Sequence, residues 1–343
     1  MSAANRKVTI VEVAAAAGVS FGTVSRVING DAHVRPETRQ RVLEAMRALH
    51  FTANRQARRL AGGRSNSVGV LVPDLGTGYI GEIVRGIDAE LSLSGYDLIL
   101  YTTHRAPAKE AEYVTNLVQD MVDGLLLVLP RNPTDYLSTL AQRGFPFVLI
   151  DHQGTGADCA AVGAANWQGA YNAADALIRM GHRRIAFITG ALDLGAAVDR
   201  LEGFQTALRA HHIPDEAELI YQGTFHQTDG YTAACHFLDL PQPPTLIFAS
   251  NDVMAMAAMD AVRERGLRVP EDISVVGFDD IPQASLVRPA LTTVRQPLEQ
   301  MGRMAVQMLM EIFRDPAASP RRIELPTELI LRDSTAPPKA QQP

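Results

Sequence analysis

The chain has 343 residues, of which 46% are apolar and 20% charged, a composition typical of soluble globular proteins. This length exceeds a single compact core, so two or three folding units are expected. The sequence shows neither an apolar signal region nor a run near the roughly 20 apolar residues of a membrane span, which indicates a cytoplasmic protein. Its two cysteines, Cys159 and Cys235, lie far apart without metal-ligand spacing and fit a reducing compartment.

The net formal charge of −6 is divided unevenly along the chain. Residues 1–64 carry eleven Lys and Arg against four Asp and Glu, a charge of +7, whereas the remainder carries −13. These basic residues lie in strongly patterned helical sequence rather than in a low-complexity run. The asymmetry therefore predicts that only the N-terminal part approaches phosphates.

The first predicted elements form a helix-turn-helix over residues 9–27. Thr9 and Glu12 match a capping box, which predicts that a helix begins directly after Thr9. Gly18 supplies the left-handed residue that ends this helix. Its predicted apolar face comprises Val11, Ala14 and Ala15.

A second helix is predicted after Ser20, which acts as its N-cap. Val24 and Val27 should face the first helix, while the remaining side chains point outward. These outward residues are Phe21, Gly22, Ser25 and Arg26. A short helix, a Gly-containing turn and a second helix with polar residues near its start form the geometry that enters a DNA major groove. The predicted partner is therefore double-stranded DNA.

A third helix begins at Pro36 and closes a three-helix unit near residue 50. Its predicted buried stripe comprises Val42, Leu43, Met46 and Leu49. Residues 54–61 are predicted to form a further short helical segment, which Gly62 and Gly63 should end. A helix of about two turns is marginal alone in water, so this segment should need a partner.

From residue 67 onward, strands and helices alternate. Strands are predicted at 68–72, 96–101, 124–129 and 147–151, with helices at 82–94, 110–121 and 135–142. A second series has helices at 166–180, 199–210, 228–238 and 252–265, with strands at 184–189, 219–222, 245–249 and 274–277. Two such series predict two doubly wound parallel sheets, with a ligand cleft lined by loops at the carboxyl ends of the strands. The sequence lacks Walker, dinucleotide-binding, nucleophile-elbow and HExxH motifs, so no enzymatic activity, cofactor or metal site is predicted.

Short motifs spread over the chain resemble one known family. They are VTIVEVAAAAGVS at 8–20, TVSRVING at 23–30, ARRLA at 57–61, GHRRIAFI at 181–188, ND at 251–252, SVVGFDD at 274–280 and LTTV at 291–294. Together they resemble the LacI/GalR family of bacterial transcriptional repressors, over residues 8 to about 334. The resemblance implies an all-α helix-turn-helix head and an α/β body of two parallel-sheet subdomains similar to periplasmic binding proteins. It also implies a homodimer that reads a pseudo-palindromic operator.

The resemblance further implies a division of the chain into four regions. These are a DNA-binding domain at 1–52, a hinge helix and linker at 53–66, an effector-binding and dimerisation domain at 67–335 and a flexible tail at 336–343. Within the body, the N-subdomain should comprise about 67–164 and 295–323, and the C-subdomain about 165–294 and 324–335. The tail lacks leucine heptads, so a dimer is favoured over a tetramer. Dimer contacts are expected around Ile83, Ile87 and Leu91, which equally fit a core within one chain.

Arg26 aligns with the arginine of the family's recognition helix, and an arginine can donate two hydrogen bonds to guanine. Phe21 can touch a thymine methyl group, whereas Gly22 departs from relatives that carry a base-reading side chain there. Leu60 aligns with the hinge leucine that wedges into the minor groove in family dimers. The full predicted DNA-contacting set is Thr9, Ser20, Phe21, Gly22, Thr23, Ser25, Arg26, Asn29, His33, Asn54, Ala57, Arg58 and Leu60.

In the family, polar groups at strand ends hold a small effector in the cleft. The matching positions here are Asp74, Tyr79, Asp151, His152, Arg200, Phe225, Asn251, Asp279 and Gln296. Carboxylates and arginines can bridge adjacent hydroxyls and an aromatic face can stack on a sugar, so a carbohydrate effector is predicted. The alternatives to ligand contact are an ordinary ion pair for Arg200 and a helix cap for Asn251, while Asp280 fits a structural turn. Trp167 fits either an interdomain wedge or a stacking platform.

The predicted function is that of a ligand-responsive repressor of a carbohydrate-utilisation operon. One alternative is a co-repressed regulator that responds to a purine or another metabolite. A sugar-binding transport protein is a more remote alternative, because it would explain the body but not the basic N-terminal region.

Overall fold

The computed structural model describes residues 8–28, 31, 33–51, 65–76, 78–120, 122–131, 133–152 and 159–339. The predicted helix at 54–61 lies outside these residues. So do five of the predicted DNA-contacting residues, namely Asn29, Asn54, Ala57, Arg58 and Leu60.

The head consists of three helices, α1 (Ile10–Ala17), α2 (Phe21–Ile28) and α3 (Pro36–Ala48). The predicted capping box is present at the start of α1, because the Thr9 amide donates to the Glu12 carboxylate at 2.7 Å. Gly18 ends α1 with φ of 61°. A three-residue turn then sets α2 at 104° to α1, which lies within the range of known helix-turn-helix motifs.

The buried face of α1 differs from the predicted one. Val13, Ala14 and Ala17 are buried, whereas Val11 is 62% exposed and Ala15 is also on the surface. The predicted apolar stripe of α1 is rotated about the helix axis relative to the stripe that packs on α2 and α3. In α3, Val42 and Ala45 are buried and Met46 and Leu49 are partly buried, while Leu43 is exposed. Val24 and Val27 of α2 complete this small core, as predicted.

Among the described residues, no single helix is long and apolar enough to span a membrane. Helices α1 and α2 reach the length and apolar composition of a membrane span only when they are counted as one segment, and a bend of 104° separates them.

The body contains two six-stranded sheets, which confirms the predicted fold class. The first half of the chain contributes β1 (Ser67–Val72), α4 (Gly78–Leu93), β2 (Asp97–Thr102), α5 (Pro107–Asp120), β3 (Gly124–Val128), α6 (Thr134–Gln142), β4 (Phe147–Ile150) and β5 (Ala161–Ala164). The second half contributes α7 (Asn166–Arg179), β6 (Ile185–Ile188), α8 (Gly195–Ala210), β7 (Ile220–Tyr221), α9 (Gln227–Leu238), β8 (Leu246–Ala249), α10 (Asp252–Glu264) and β9 (Ser274–Asp279). The last part contributes β10 (Thr292–Arg295), α11 (Leu298–Arg314), β11 (Arg322–Leu325) and β12 (Glu328–Ile330).

The first sheet has the order β11-β5-β4-β3-β1-β2 with all pairs parallel. The second has the order β12-β10-β9-β8-β6-β7 and is parallel except for β12, which runs antiparallel to β10. The chain passes between the sheets near residues 165, 296 and 326. Strand β11 pairs with β5 over its whole length, so the last passage lies beyond the residue 323 expected from the sequence.

The helix expected to form the dimer contact is part of a core within one chain. Ile83, Ile87 and Leu91 are almost completely buried and pack with residues of α11. A Cβ atom at Gly86 would lie 2.0 Å from the carbonyl oxygen of Glu299, so the two helix backbones are in direct contact. The intrachain role considered for these three residues is therefore confirmed, and dimer contacts by the exposed face of the same helix stay a prediction.

The segment after β12 is bound to the second sheet. His182, completely buried, donates from Nε2 to the carbonyl oxygen of Ala336 at 3.0 Å. Lys339 pairs with Asp272 at 2.5 Å. The expectation of a flexible tail from 336 is therefore wrong for residues 336–339, because the body satisfies their polar groups.

Candidate functional site

The exposed face of α2 carries the predicted base-reading residues. Phe21 is 54% exposed and Arg26 is also on the surface. At Gly22, a Cβ atom would have one neighbour within 4 Å among the described residues, the Ser20 hydroxyl at 3.8 Å. This face of the helix is therefore open, and position 22 leaves a gap between two larger outward residues.

Three of the predicted DNA-contacting hydroxyls also have structural roles in the head. Ser20 Oγ accepts from the Thr23 amide at 3.2 Å and lies 2.9 Å from the Thr23 hydroxyl, while Thr9 belongs to the capping box. His33 is exposed and its Nδ1 lies 3.0 Å from the Asp31 carboxylate. Hydrogen bonds from the His33 backbone and ring lower the pKa of Asp31.

A cleft with about 690 Å³ of empty space opens at the carboxyl ends of the strands of both sheets. Six of the nine predicted effector residues line it, namely Tyr79, Asp151, Arg200, Phe225, Asn251 and Asp279. The other lining residues are Pro73, Ile80, Arg105, Leu129, Arg131, Leu194, Ala196, Val253 and Ile281. The remaining three predicted residues, Asp74, His152 and Gln296, are absent from the lining.

A chain of hydrogen bonds joins the two sheets at the base of the cleft. The Tyr79 hydroxyl donates to Asp151 Oδ2 at 2.7 Å, and Asn166 Nδ2 donates to Asp151 Oδ1 at 3.3 Å. Arg200 Nε then donates to Asn166 Oδ1 at 2.8 Å. Burial and the neighbouring Asp151 carboxylate raise the pKa of Tyr79 well above its usual value, so this hydroxyl remains a proton donor. Sequence reasoning missed Asn166, which stands first in α7 and is completely buried.

Arg200 and Asp279 form the buried centre of the cleft. Arg200 Nη1 donates to the carbonyl oxygen of Ser250 at 2.5 Å and lies 3.4 Å from Asp279 Oδ1. Gln296 Nε2 donates to the same carboxylate oxygen at 2.7 Å. The guanidinium also lies 4.0 Å from the centre of the Phe278 ring. Burial raises the pKa of Asp279 to about 7, although Arg200 and Gln296 both lower it.

A second buried carboxyl group lies behind this centre. Asp252 accepts from the Ile281 amide at 2.8 Å and has no solvent exposure. Burial and the neighbouring charge of Asp279 raise its pKa well above the usual range. The charged form of Asp252 is therefore disfavoured beside Asp279.

A hydrogen bond joins the Asn251 side chain to the backbone of Phe225. Asn251 Oδ1 accepts from the Met254 amide at 2.9 Å as the N-cap of α10, and Nδ2 donates to the Phe225 carbonyl at 3.2 Å. The cap role considered for Asn251 is thus present, although its side chain also lines the cleft. The Phe225 ring covers Gly190, where a Cβ atom would lie only 1.9 Å from the ring.

Two arginines that line the cleft were not predicted. Arg105 follows β2, donates from Nε to Asp74 at 2.7 Å and from Nη1 to the Thr224 carbonyl at 3.3 Å. Arg131 follows β3 and lies 3.4 Å from Asp193. Both side chains link a loop of the first sheet to a loop of the second. Their position after parallel strands was the available signal, but the prediction took residues only after the first and fourth strands of that sheet.

Backbone strain is concentrated at this edge of the sheets. Positive φ occurs at five non-glycine lining residues, Arg105, Leu129, Asp151, Phe225 and Asp279. Such conformations cost about 1–3 kcal/mol each and persist where the surrounding structure fixes them, as at binding sites. The strained backbone is an independent indication that this cleft is functional.

The predicted residues outside the lining have other contacts. Asp74 accepts the Arg105 hydrogen bond and Gln296 supports Asp279, whereas burial and the charge of Arg322 lower the pKa of His152. Trp167 is also absent from the cleft lining. Its ring stacks on Tyr171 of the same helix, with centroids 5.3 Å apart, and the interdomain role considered for it stays a prediction.

Asp280 has the structural role that was considered for it, in the turn after β9. One oxygen of this carboxylate accepts from Arg295 Nε at 2.7 Å and the other from Arg332 Nη2 at 2.6 Å. These two ion pairs hold the turn on which the neighbouring Asp279 lies.

Comparison with known proteins agrees with this architecture. Residues 9–54 match the family model of bacterial regulatory proteins of the lacI family, and residues 174–335 match a periplasmic binding protein-like domain. The transcriptional regulator DegA of Bacillus subtilis (strain 168) is 35% identical over 334 residues, 96% of this chain and 99% of DegA. The chain belongs to the LacI family.

Other LacI-family proteins extend the comparison. The transcriptional repressor PurR of Edwardsiella ictaluri (strain 93-146) is 37% identical over 96% of this chain and 97% of that repressor. A lac repressor dimer bound to operator and the anti-inducer ONPF superposes with a TM-score of 0.85 at 30% identity, covering 96% of this chain and all of that one. The complex of the regulator CelR with cellobiose gives a TM-score of 0.74 at 34% identity, also over 96% of this chain and all of that one. These relatives confirm the resemblance and identify the chain as a LacI-family transcriptional regulator of the repressor type.

Proposed function

We propose that this regulator binds a pseudo-palindromic operator as a homodimer in the cytoplasm and that a small carbohydrate in the cleft switches its DNA affinity. The buried Arg200–Asp279 pair is the observation that carries the proposal. A charged pair is costly to keep inside a protein, so a pair that lines a cleft is best explained by a polar ligand. The nearby Phe225 ring can stack on the C–H surface of a sugar.

The cleft also provides a route from ligand to switch. Tyr79 and Asp151 lie on a helix and a loop that follow strands of the first sheet, whereas Arg200 lies on a helix that follows β6 of the second sheet and Asp279 ends β9. A ligand held by both groups binds the closed arrangement more tightly than an open one. It therefore shifts the equilibrium between the two arrangements by its difference in affinity.

For the DNA-bound state, we assign α2 to the major groove with Arg26 directed at guanine. The gap at Gly22 implies loose reading of one base pair. We further propose that residues 53–66 couple the head to the body and that Leu60 enters the minor groove between paired hinge helices. The divisions at 1–52, 53–66 and 67–335 are part of this proposal.

A purine or another metabolite is the second candidate for the ligand. The identity of 37% to a PurR repressor and the exposed side of the Phe225 ring favour it, since an aromatic ring can stack on a base. A thermal-shift screen of the full chain against sugars, polyols and nucleobases separates the two candidates. We expect a sugar to raise the melting temperature, and a nucleobase hit without any sugar hit would overturn the carbohydrate assignment.

The operator assignment is tested by Arg26→Ala and Leu60→Ala. Both variants should lose at least about tenfold in operator affinity. Arg26→Ala removes one bidentate contact to a base, and Leu60→Ala removes the side chain that enters the minor groove. Fluorescence anisotropy with labelled operator measures this loss, and the thermal shift by ligand should stay unchanged. Unaltered operator binding by Leu60→Ala would remove the hinge assignment.

A further inference from the structure

Resting on the proposed function, we infer that the ligand carries an anionic group, a carboxylate or a phosphate, and that Arg105 and Arg131 bind it. Arg200 and Asp279 would then hold the hydroxyl groups of the same molecule. The ligand class is accordingly an acidic or phosphorylated sugar rather than a neutral one.

The two arginines occupy equivalent places in the fold. Arg105 lies three residues after β2 and Arg131 three residues after β3, and both side chains line the cleft. Each is about one quarter exposed, so the guanidinium groups remain accessible from the cleft. Two guanidinium groups that line the same cavity favour an anionic ligand, and a carboxylate or a phosphate matches the geometry of their donors.

The hydrogen bonds of Arg131 leave most of its donors available. A guanidinium carries five N–H donors, yet the side-chain contacts described for Arg131 are two distances of 3.4 Å to Asp193. Charge-assisted hydrogen bonds are normally about 2.7–2.9 Å long, so this pair is loose. Asp193 is itself 53% exposed, which leaves it free to move aside.

Arg200 has the opposite character. Its Nε and Nη1 groups donate to Asn166, the Ser250 carbonyl and Asp279, which leaves the Nη2 group for a ligand hydroxyl. Because the Asp279 carboxylate lies 3.4 Å from Nη1, an anion bound to Arg200 would be placed beside a second carboxylate. The base of the cleft therefore suits neutral hydroxyls, while the two outer arginines suit an anion.

Closure over a neutral sugar would leave the Arg131 guanidinium loosely paired and desolvated, which is unfavourable. An anionic group of the ligand satisfies Arg131 by replacing Asp193, while Arg105 keeps its bond to Asp74 and offers further N–H donors to the same anion. Asp193 precedes α8, the helix that carries Arg200, so displacement of Asp193 also acts on the element that holds the buried pair. Removal of the Asp193 charge should then strengthen anion binding, whereas removal of Arg131 should weaken it.

The test uses the full chain, thermal shift and titration calorimetry, with inorganic phosphate, sulfate, D-glucose, D-gluconate and D-glucose 6-phosphate as probes at constant ionic strength. We expect saturable binding of the anionic probes. Arg131→Gln and Arg105→Gln should each weaken it at least tenfold, and Asp193→Asn should strengthen it several-fold. Arg265→Gln is the matched control, since Arg265 pairs with Asp239 on the surface and is absent from the cleft lining.

Preference for gluconate over the phosphate probes identifies a carboxylate ligand, and the reverse preference identifies a phosphate. The inference is overturned if no anionic probe binds saturably, if D-glucose binds as tightly as its charged counterparts, or if Arg131→Gln binds anions normally. A different result would overturn the carbohydrate function alone. In that case a nucleobase would be the one organic ligand found, while phosphate would still bind and Arg131→Gln would still weaken its binding.

Discussion

Asp279 combines a rare backbone conformation, complete burial and an altered proton affinity. Its φ of 124° and its pKa of about 7 occur together at the end of β9. Arg200 and Gln296 contact the carboxylate but do not fully offset the effect of burial on its pKa. A carboxyl group of this kind changes charge within the physiological pH range.

Substitution of Asp279 by Asn should alter how stability depends on pH. In the unfolded chain an aspartic acid loses its proton near about pH 3.9, whereas the folded protein retains it to about pH 7. The folded state therefore binds more protons between these values, and the free energy of unfolding falls as the pH rises through this window. Urea denaturation between pH 4.5 and about pH 8 should show a shallower fall for Asp279→Asn than for the parent.

The matched control for this prediction is Asp272→Asn. Lys339 and the Arg268 backbone lower the pKa of Asp272 to about 2. The contribution of Asp272 to the free energy of unfolding is therefore fully present above the pKa of an unfolded aspartic acid, and it is lost only as the pH falls below that pKa. This control should leave the slope unchanged over the same window. Equal slopes for the parent and Asp279→Asn would contradict the prediction.

Sequence reasoning found the residues of the cleft whose motifs are distinctive. Tyr79, Asp151, Arg200 and Asp279 were predicted from strand ends and family motifs, and all four line the cleft. Asn166 was missed, because a helix-terminal Asn is common in chains of every function. Local sequence also does not indicate the direction of a long side chain, so the contacts of Arg105 and Arg131 across the cleft required tertiary structure.

At the scale of elements, glycine sets the distance between neighbouring helices. Gly86 of α4 faces the Glu299 carbonyl, and Gly302 of α11 faces the Ile83 carbonyl, where a Cβ atom would lie 2.2 Å away. The same arrangement recurs at Gly203 against Trp167 and at Gly230 against Met254. Each of these contacts lies between two backbones. A Cβ atom added at any of these glycines would therefore clash with backbone atoms, and rotation of a side chain could not relieve the clash.

Gly86→Ala should therefore destabilise the first subdomain by about 1–3 kcal/mol, the usual cost of overpacking. Gly81 lies on the same helix with open space at its Cβ position, so Gly81→Ala is the control. It should be neutral or stabilising by up to about 1 kcal/mol, because Ala is the better helix former. Thermal unfolding measures both, and a Gly86→Ala variant as stable as Gly81→Ala would disprove the close contact.

The helices of several turns were predicted well, whereas four short strands were missed. Helices such as α7 and α10 carry several turns of apolar periodicity, which tertiary packing reinforces. Strands β5, β10, β11 and β12 have three or four residues each and were not predicted. Their pairing partners are distant in sequence, so local pattern carries little information about them. The rotated apolar face of α1 has the same cause, since eight residues with many alanines define a stripe weakly.

For the molecule as a whole, the segment after β12 closes the second sheet. The Ser334 hydroxyl donates to the Val275 carbonyl at 2.6 Å and accepts from the Thr292 amide at 2.8 Å. Ala336 then pairs with Ser274 and His182. The segment thus satisfies polar groups that would otherwise be buried without partners.

Truncation after Thr335 should cost about 1–3 kcal/mol, because His182 and Ser274 lose the Ala336 partner. Urea denaturation measures the loss. Lys339→Ala is the control, since its surface ion pair with Asp272 is worth at most about 1 kcal/mol. A truncated chain that is as stable as the parent would show that the segment is not part of the folded body.

The interleaved path of the chain has a consequence for synthesis on the ribosome. The head has a core of its own within the first 51 residues, so it can fold soon after it emerges. The first sheet, by contrast, lacks β11 and its covering helix α11 until almost the entire chain has been made, and the second sheet waits for β12. A basic head is thus ready while both halves of the acidic body are still incomplete. Control of DNA binding by ligand can begin only when synthesis is nearly finished.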